Sequence, residues 1–240
     1  MRVLVVSDVH ANLRALDAVL AAGGAVDAVW HLGDIVGYGP DPDAVVARLA
    51  ELRAIGVRGN HDAAALGGRE IELFNVDARR AMEWTKSVIS AATTAWLAAL
   101  PERLELESFT LVHGSPRDPT WEYVTSAPVA RANLALLATP YCLLGHTHLP
   151  LVFRDDSGLI ETIEPSHGST LGLDARRVLL NPGSVGQPRD GRRAAAYVVL
   201  DTQRHEARWG RAEYDIAGTQ AAMRAAGLPE RLAVRLGYGL

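Results

Sequence analysis

The sequence predicts an α/β chain in which a pair of mixed sheets is covered by outer helices, and three observations carry that expectation. Short β-branched apolar runs alternate with helical patterns over the first sixty residues, strand signals dominate the second half, and no internal repeat or low-complexity linker divides the chain. Arg2 to Ser7 is an apolar run ending in a turn, and Asn12 is suited to cap a helix carrying Leu13, Leu16, Val19 and Leu20. Asp27 to Leu32 repeats the strand signal. Gly33 to Pro42 is turn-rich, and Ala44 to Ile55 carries Val45, Val46, Leu49 and Leu52 at helical spacing. With a short run from Val57, this order implies parallel strands joined by right-handed crossovers.

Residues 67–100 hold few β-branched residues and two helical patterns, Val76 to Ile89 and Ala91 to Leu100, the second stopped by Pro101, so they read as a helical insertion. Further strands are expected at Leu104 to Leu106, Phe109 to Val112, Tyr141 to Leu144, Pro150 to Phe153 and Leu159 to Ile163. A helix is expected near Val129 to Leu137, and the Asp155 to Gly158 turn suggests a hairpin. Val178 to Leu180, Ala195 to Leu200 and His205 to Tyr214 read as strands, followed by helical patterns at Gly218 to Ala226 and Glu230 to Leu236. The expectation is one domain over residues 1–240.

The 240 residues, 48% hydrophobic, suffice to bury a core without disulfides. Charged residues at 22% and a formal net charge of -4 fit a soluble globular chain with no footprint for duplex nucleic acid. One cysteine, Cys142, excludes a disulfide framework and points to a reducing compartment, so the cytoplasm is expected. No apolar run approaches membrane-spanning length, and Asp8 interrupts any signal-peptide core, so neither export nor membrane association is expected.

Potential metal donors sit at successive run ends, where α/β sheets place ligand crevices. These ends read Ser7-Asp8-Val9-His10, Gly33-Asp34, Gly59-Asn60-His61-Asp62, His113-Gly114 and Gly145-His146-Thr147-His148. Donors two apart, as in Asp8 and His10 or His146 and His148, point the same way on extended chain. Asp8, His10, Asp34, Asn60, His113, His146 and His148 exceed the needs of one ion and suit two divalent ions about 3.5 to 4 Å apart that share a carboxylate. The donor mix favours manganese, iron, zinc or nickel over calcium and leaves those four open. One such residue alone is ordinarily a cap or a satisfied polar group; the whole set at five run ends argues for metal, since buried polar groups without partners are costly. His31 reads as a packing or hydrogen-bonded interior residue, and His167 and His205 lie outside any ligand spacing.

In order, these five blocks resemble the signature of the calcineurin-like metallophosphoesterases, over residues 5 to 150. Asn181-Pro182-Gly183-Ser184-Val185-Gly186 is similar to a later loop of the small prokaryotic branch related to YfcE-type phosphodiesterases and diadenosine tetraphosphatases. The resemblance implies a four-layer αββα sandwich with a two-metal site along its sheet edge. One ion would take Asp8, His10, Asp34 and His148, the other Asp34, Asn60, His113 and His146, with Asp34 bridging. Protein serine/threonine phosphatases of this superfamily carry Asp and Arg shortly after the second block, where this chain has Gly37 and Tyr38. Ala11 replaces a common glycine, and Asp62 stands where those phosphatases usually have Glu.

The expected activity is a metal-dependent phosphoesterase, as a phosphodiesterase or a nucleotide or dinucleoside polyphosphate hydrolase. A hydroxide bridging the two ions would attack phosphorus in line. His61 is placed to donate to the phosphate or the leaving oxygen, and Asp62 to orient it. Asn12, Tyr38 and Arg117 are candidate substrate contacts, the last two in loops that could offer a nucleotide an aromatic platform and a cation. The alternatives are a phosphomonoesterase of the same fold, a non-catalytic metal-binding scaffold, and a nuclease, which would want a basic patch. The expected partner is a small phosphate ester; a homo-oligomer stays open.

Overall fold

The computed structural model describes residues 1–174 and 176–240. The chain runs β1 (Arg2–Val6), α1 (Leu13–Gly23), β2 (Ala28–His31), α2 (Pro42–Glu51), β3 (Ile55–Gly56), α3 (Asn60–Ala65), a 3-10 turn (Arg69–Leu73), α4 (Val76–Val88) and α5 (Ala91–Ala98). It continues with β4 (Arg103–Leu106), β5 (Phe109–Val112), α6 (Ala127–Leu134), β6 (Tyr141–Leu143), β7 (Pro150–Asp156), β8 (Leu159–Ile163) and β9 (Thr170–Gly172). The last elements are β10 (Val178–Pro182), β11 (Ala195–Asp201), β12 (Glu206–Ala212), α7 (Ile216–Ala225) and α8 (Glu230–Arg235).

Two six-stranded mixed sheets form, in the orders β3-β2-β1-β11-β12-β9 and β4-β5-β6-β10-β7-β8. Alternation along each strand builds the layers. In β1, Val3 and Val5 enter the core between the sheets, while Leu4 and Val6 enter a second core with Leu16 and Val19 of α1 and Val45 and Leu49 of α2. In β10, Val178 and Leu180 face the first sheet, whereas Leu179 packs outward with Ala130 and Leu134 of α6. The result is the four-layer αββα arrangement. The Trp209 indole N–H donates to the Asn181 carbonyl at 3.2 Å, from β12 of one sheet to β10 of the other.

Parallel pairing of β1 with β2 (Val3 opposite Ala28) and of β2 with β3 follows from the two crossover helices. Within the second sheet, β5, β6 and β10 run parallel. The C-terminal ends of β1, β2 and β3 thereby open on the same edge of the molecule as those of β5 and β6. Two elements escape the sequence reading. Helix α3 is six residues long from Asn60, and β9 has three residues paired with β12; β3 is Ile55–Gly56, just ahead of the run expected from Val57. Both α3 and β9 are too short to show a periodicity.

Candidate metal centre

Five loops bring the predicted donors together. Asp8 and His10 follow β1, Asp34 follows β2, Asn60 and His61 open α3 behind β3, His113 follows β5, and His146 and His148 follow β6. All seven predicted donors are buried. The extended-chain geometry expected of the two pairs is not what points them inward. Asp8, His10, Asp34, His146 and His148 adopt left-handed backbone, with φ of 52°, 48°, 53°, 65° and 59°, and Ala11 and Tyr38 do the same. Such a conformation costs an L residue roughly 1 to 2 kcal/mol and persists only where the surroundings over-determine it. Here the Asp8 N–H donates to Gly33 O at 3.1 Å, the His10 N–H to Asp34 O at 2.9 Å and the Ala11 N–H to Ile35 O at 2.8 Å, stitching the first loop to the second. Ser184 Oγ donates to the Asp8 carbonyl at 2.8 Å.

Glycines permit the close approach. A Cβ on Gly59 would lie 2.1 Å from Asp34 Oδ1, and one on Gly145 would lie 2.0 Å from Ser7 Oγ.

Each donor keeps one atom for the centre. Asp8 Oδ2 accepts from Ser7 Oγ at 2.7 Å and from the His146 N–H at 3.1 Å, leaving Oδ1 buried without a hydrogen-bond partner. Asp34 Oδ1 accepts from the His61 N–H at 2.8 Å, which leaves Oδ2 inward. The outer nitrogen of every histidine donates to a backbone carbonyl: His10 Nδ1 to Val36 O (3.2 Å), His113 Nδ1 to Leu32 O (2.8 Å), His148 Nδ1 to Gln187 O (2.6 Å) and His146 Nε2 to Trp121 O (3.1 Å). A carbonyl only accepts, so the tautomer is fixed and the inner nitrogen presents a lone pair, the usual support of a metal-binding imidazole.

The inner atoms converge in two groups around Asp34 Oδ2. In the first, His148 Nε2 lies 3.3 Å from Asp8 Oδ1 and 3.2 Å from His10 Nε2, and His10 Nε2 lies 3.7 Å from Asp34 Oδ2. In the second, His113 Nε2 lies 3.3 Å from Asp34 Oδ2, 3.1 Å from Asn60 Oδ1 and 3.0 Å from His146 Nδ1. Lone pairs crowded this closely repel unless a cation lies between them. The unpartnered Asp8 Oδ1, the fixed tautomers and the hard-to-borderline N/O donors all fit divalent ions.

The electrostatics agree. Burial drives His10 and His148 well below the usual imidazole range and, with His113 nearby, takes His146 down to about 3, so all three are neutral, the form that ligates. His113 is the exception. Against its burial, Asp34 and Asp8 raise it to about 9, while His113 and His61 hold the equally buried Asp34 well below the usual carboxylate range. The pair therefore demands positive charge.

Around this centre His61 is buried, its ring 4.4 Å from Tyr38 and stacked on Phe74 at 4.4 Å, with Nδ1 unpartnered; burial depresses it to about 4. Asp62 does not meet the His61 ring. Its Oδ1 accepts from the N–H groups of Ile35 (2.8 Å) and Val36 (3.1 Å), and its Oδ2 from Gly59 N–H (3.0 Å), so it ties the second loop to the third. Asn12 caps α1 through Ala15 N–H (3.2 Å) and donates to Gly186 O (3.1 Å). Arg117 is exposed and paired with Glu122. Tyr123 stacks on His146 at 3.9 Å. Of the other histidines, His31 packs beside Trp96 at 5.4 Å with neither ring nitrogen hydrogen-bonded, and His167 Nδ1 accepts from Arg211 N–H at 3.0 Å.

The sequence reading missed the support from the loop after β10. Ser184 anchors Asp8, and the Gln187 carbonyl orients His148. Arg189 is half-buried, its backbone N–H donating to His148 O at 3.3 Å and its guanidinium to Gln187 Oε1 at 2.9 and 3.3 Å. The signal was position: all three lie in or just beyond the Asn181 to Gly186 block.

Comparison with known proteins identifies the family and the fold. The profile described as the calcineurin-like phosphoesterase superfamily domain matches residues 1–205. An uncharacterized protein of Methanocaldococcus jannaschii is 35% identical, with 99% of this chain and 98% of that one covered. A metallophosphoesterase from Sphaerobacter thermophilus superposes with a TM-score of 0.93 at 46% identity, covering 100% of this chain and 99% of that one. A hypothetical protein from Pyrococcus horikoshii, 19% identical, shares the fold with a TM-score of 0.81, covering 100% and 98%.

Proposed function

Because this chain belongs to the calcineurin-like phosphoesterase superfamily, whose members are metal-dependent hydrolases of phosphate esters, we propose that it acts as a phosphodiesterase or as a nucleotide or dinucleoside polyphosphate hydrolase. The observation that carries this reading is the meeting of two groups of buried donors at one oxygen, Asp34 Oδ2, which lies 3.7 Å from His10 Nε2 in the first group and 3.3 Å from His113 Nε2 in the second. We assign one divalent ion to Asp8, His10, Asp34 and His148 and the other to Asp34, Asn60, His113 and His146, with manganese as the first metal to try. Ions held there lower the pKa of water and offset charge on phosphoryl oxygens.

The chain's own residues do the rest. The His61 N–H fixes Asp34 Oδ1, so that Oδ2 alone is shared. The His61 ring is held by Tyr38 and Phe74 and is neutral at pH 7, and it donates its N–H to a phosphoryl or leaving-group oxygen. Asp62 keeps the loops carrying Asp34 and His61 in register through three amide contacts. Tyr123 and Trp121 line the His146 side as a surface for a base or aryl group.

This reading treats residues 1–240 as one domain in which the insertion at 67–100 contributes Phe74. It places the protein in the cytoplasm, where the buried thiol of Cys142 stays reduced. No helix of the described residues is long and apolar enough to cross a membrane.

The test is hydrolysis of bis(p-nitrophenyl) phosphate, p-nitrophenyl phosphate, cyclic nucleotides and dinucleoside polyphosphates with manganese. Preference for the monoester refutes the diesterase reading. Protein that takes up manganese yet hydrolyses none of them supports the non-catalytic metal-binding scaffold.

A further inference from the structure

Arg189, whose backbone is tied to the donor His148, is a cation that no carboxylate claims among the described residues. Among the described residues it forms no ion pair, whereas its neighbour Asp190 is committed to Arg211. Its guanidinium donates to the neutral Gln187 Oε1, and its backbone N–H is fixed on the carbonyl of His148. Gln187 lines a small cavity together with His10, Tyr38 and Leu236, so the loop after β10 meets α8 beside the His10 group of donors. Arg235 of α8 brings a second guanidinium to this side, where it donates to the main-chain oxygen of Leu240. Tyr38 lines the same cavity as Gln187 and as Leu236, the residue after Arg235, and its ring lies 4.6 Å from His10. A half-buried guanidinium without an anion, next to a second one, is an unfavourable arrangement unless a ligand completes it.

We propose that Arg189, reinforced by Arg235 and the Tyr38 hydroxyl, forms an anion subsite for a second phosphate of the substrate, next to the phosphoryl group held at the centre. It makes the enzyme selective for phosphoric anhydrides over simple monoesters and diesters. The inference rests on the hydrolase reading above and names the substrate class within it. A centre with two divalent ions neutralises one phosphoryl group; a di- or polyphosphate carries further charge that must be met beside it. The guanidinium fork suits a phosphate in bidentate fashion, and the planar Tyr38 flank directs it toward the His10 side.

Equilibrium dialysis of adenosine 5′-monophosphate and of adenosine 5′-(α,β-methylene)diphosphate, a diphosphate whose bridging carbon resists hydrolysis, against the whole protein in excess manganese tests the subsite without cleavage of the anhydride position. The native chain should bind the diphosphate more tightly, and Arg189→Met should weaken the diphosphate about 10- to 100-fold, the range of a charge-assisted contact, while changing the monophosphate less than about threefold. Arg189→Lys should recover part of the loss, and Arg235→Met should show a smaller loss of the same kind. Equal weakening of both nucleotides by Arg189→Met, or an unchanged ratio in a variant whose circular dichroism and melting match the native chain, overturns the proposal. Absence of any hydrolysis by the native chain would instead strike the hydrolase reading, since the binding ratio is measured independently of it.

Discussion

Gly59→Ala is the most informative single change, because it adds one methyl group to a position that tolerates it in every respect but one. Gly59 has φ -96° and ψ 178°, backbone that alanine adopts freely, so no conformational penalty arises. The new Cβ, however, would sit 2.1 Å from Asp34 Oδ1, 2.5 Å from the Asp34 nitrogen and 2.8 Å from its Cγ. Opening the first contact from 2.1 Å to at least 3.0 Å moves the carboxylate by about 0.9 Å, and that carboxylate also receives the His61 N–H and supplies the shared Oδ2. Overpacking of this kind destabilises by about 1 to 3 kcal/mol, and a displacement near 1 Å at a reacting centre costs about 100-fold in rate. Metal content by atomic emission, hydrolysis of bis(p-nitrophenyl) phosphate and thermal melting should fall together. Gly172→Ala, whose Cβ meets nothing within 4 Å, is the control and should leave all three unchanged. Full metal content and a rate within about twofold of native for Gly59→Ala would refute the close-approach argument.

Other changes separate holding a metal from handling a proton. Asp34→Asn should lower bound metal and reduce the rate at least about 100-fold, whereas His61→Ala should keep the metal and lose about 10² to 10⁴ in kcat; loss of metal from His61→Ala would make His61 a ligand, a role its grouping with His10 and Asp34 allows. His31 gives a pH dependence remote from the centre. Burial lowers it to about 4, while the unfolded chain protonates near 6.5. Its stabilising contribution is therefore complete above pH 6.5 and is lost as pH falls toward 4, by about 3 kcal/mol in total. Urea melts at pH 7 and pH 4.5 should show a smaller drop for His31→Leu than for the native chain; parallel losses would contradict this.

The strands and long helices were legible because alternation and the 3.6-residue period are strong over such lengths, as in Arg2–Val6 and Leu13–Gly23. The donors were legible because each stands where an apolar run meets a turn. Local backbone was not. The spacing of Asp8 and His10 suggested extended chain, while the loops bend them inward through left-handed φ values that only the stitching of β1, β2 and β10 loops stabilises. Asp62 shows the same gap: adjacency to His61 suggested a side-chain contact, yet its oxygens serve two amides of the loop after β2 and the Gly59 amide at the start of its own helix. Ser184, Gln187 and Arg189 act across more than thirty residues of chain from the nearest donor, beyond the reach of pattern alone.

The donors are divided between the sheets: Asp8, His10, Asp34 and Asn60 arise from one, His113, His146 and His148 from the other. The centre is thus a bite between two jaws, and its gape is set by the apolar layer behind it. A slip of one sheet over the other, from a trimmed side chain at Leu143 or Val198 or from loss of the Trp209 link, would be felt as mis-set jaws at the rim. Tuning of the reaction is accordingly open to residues that never see the substrate, buried in the layer between the jaws.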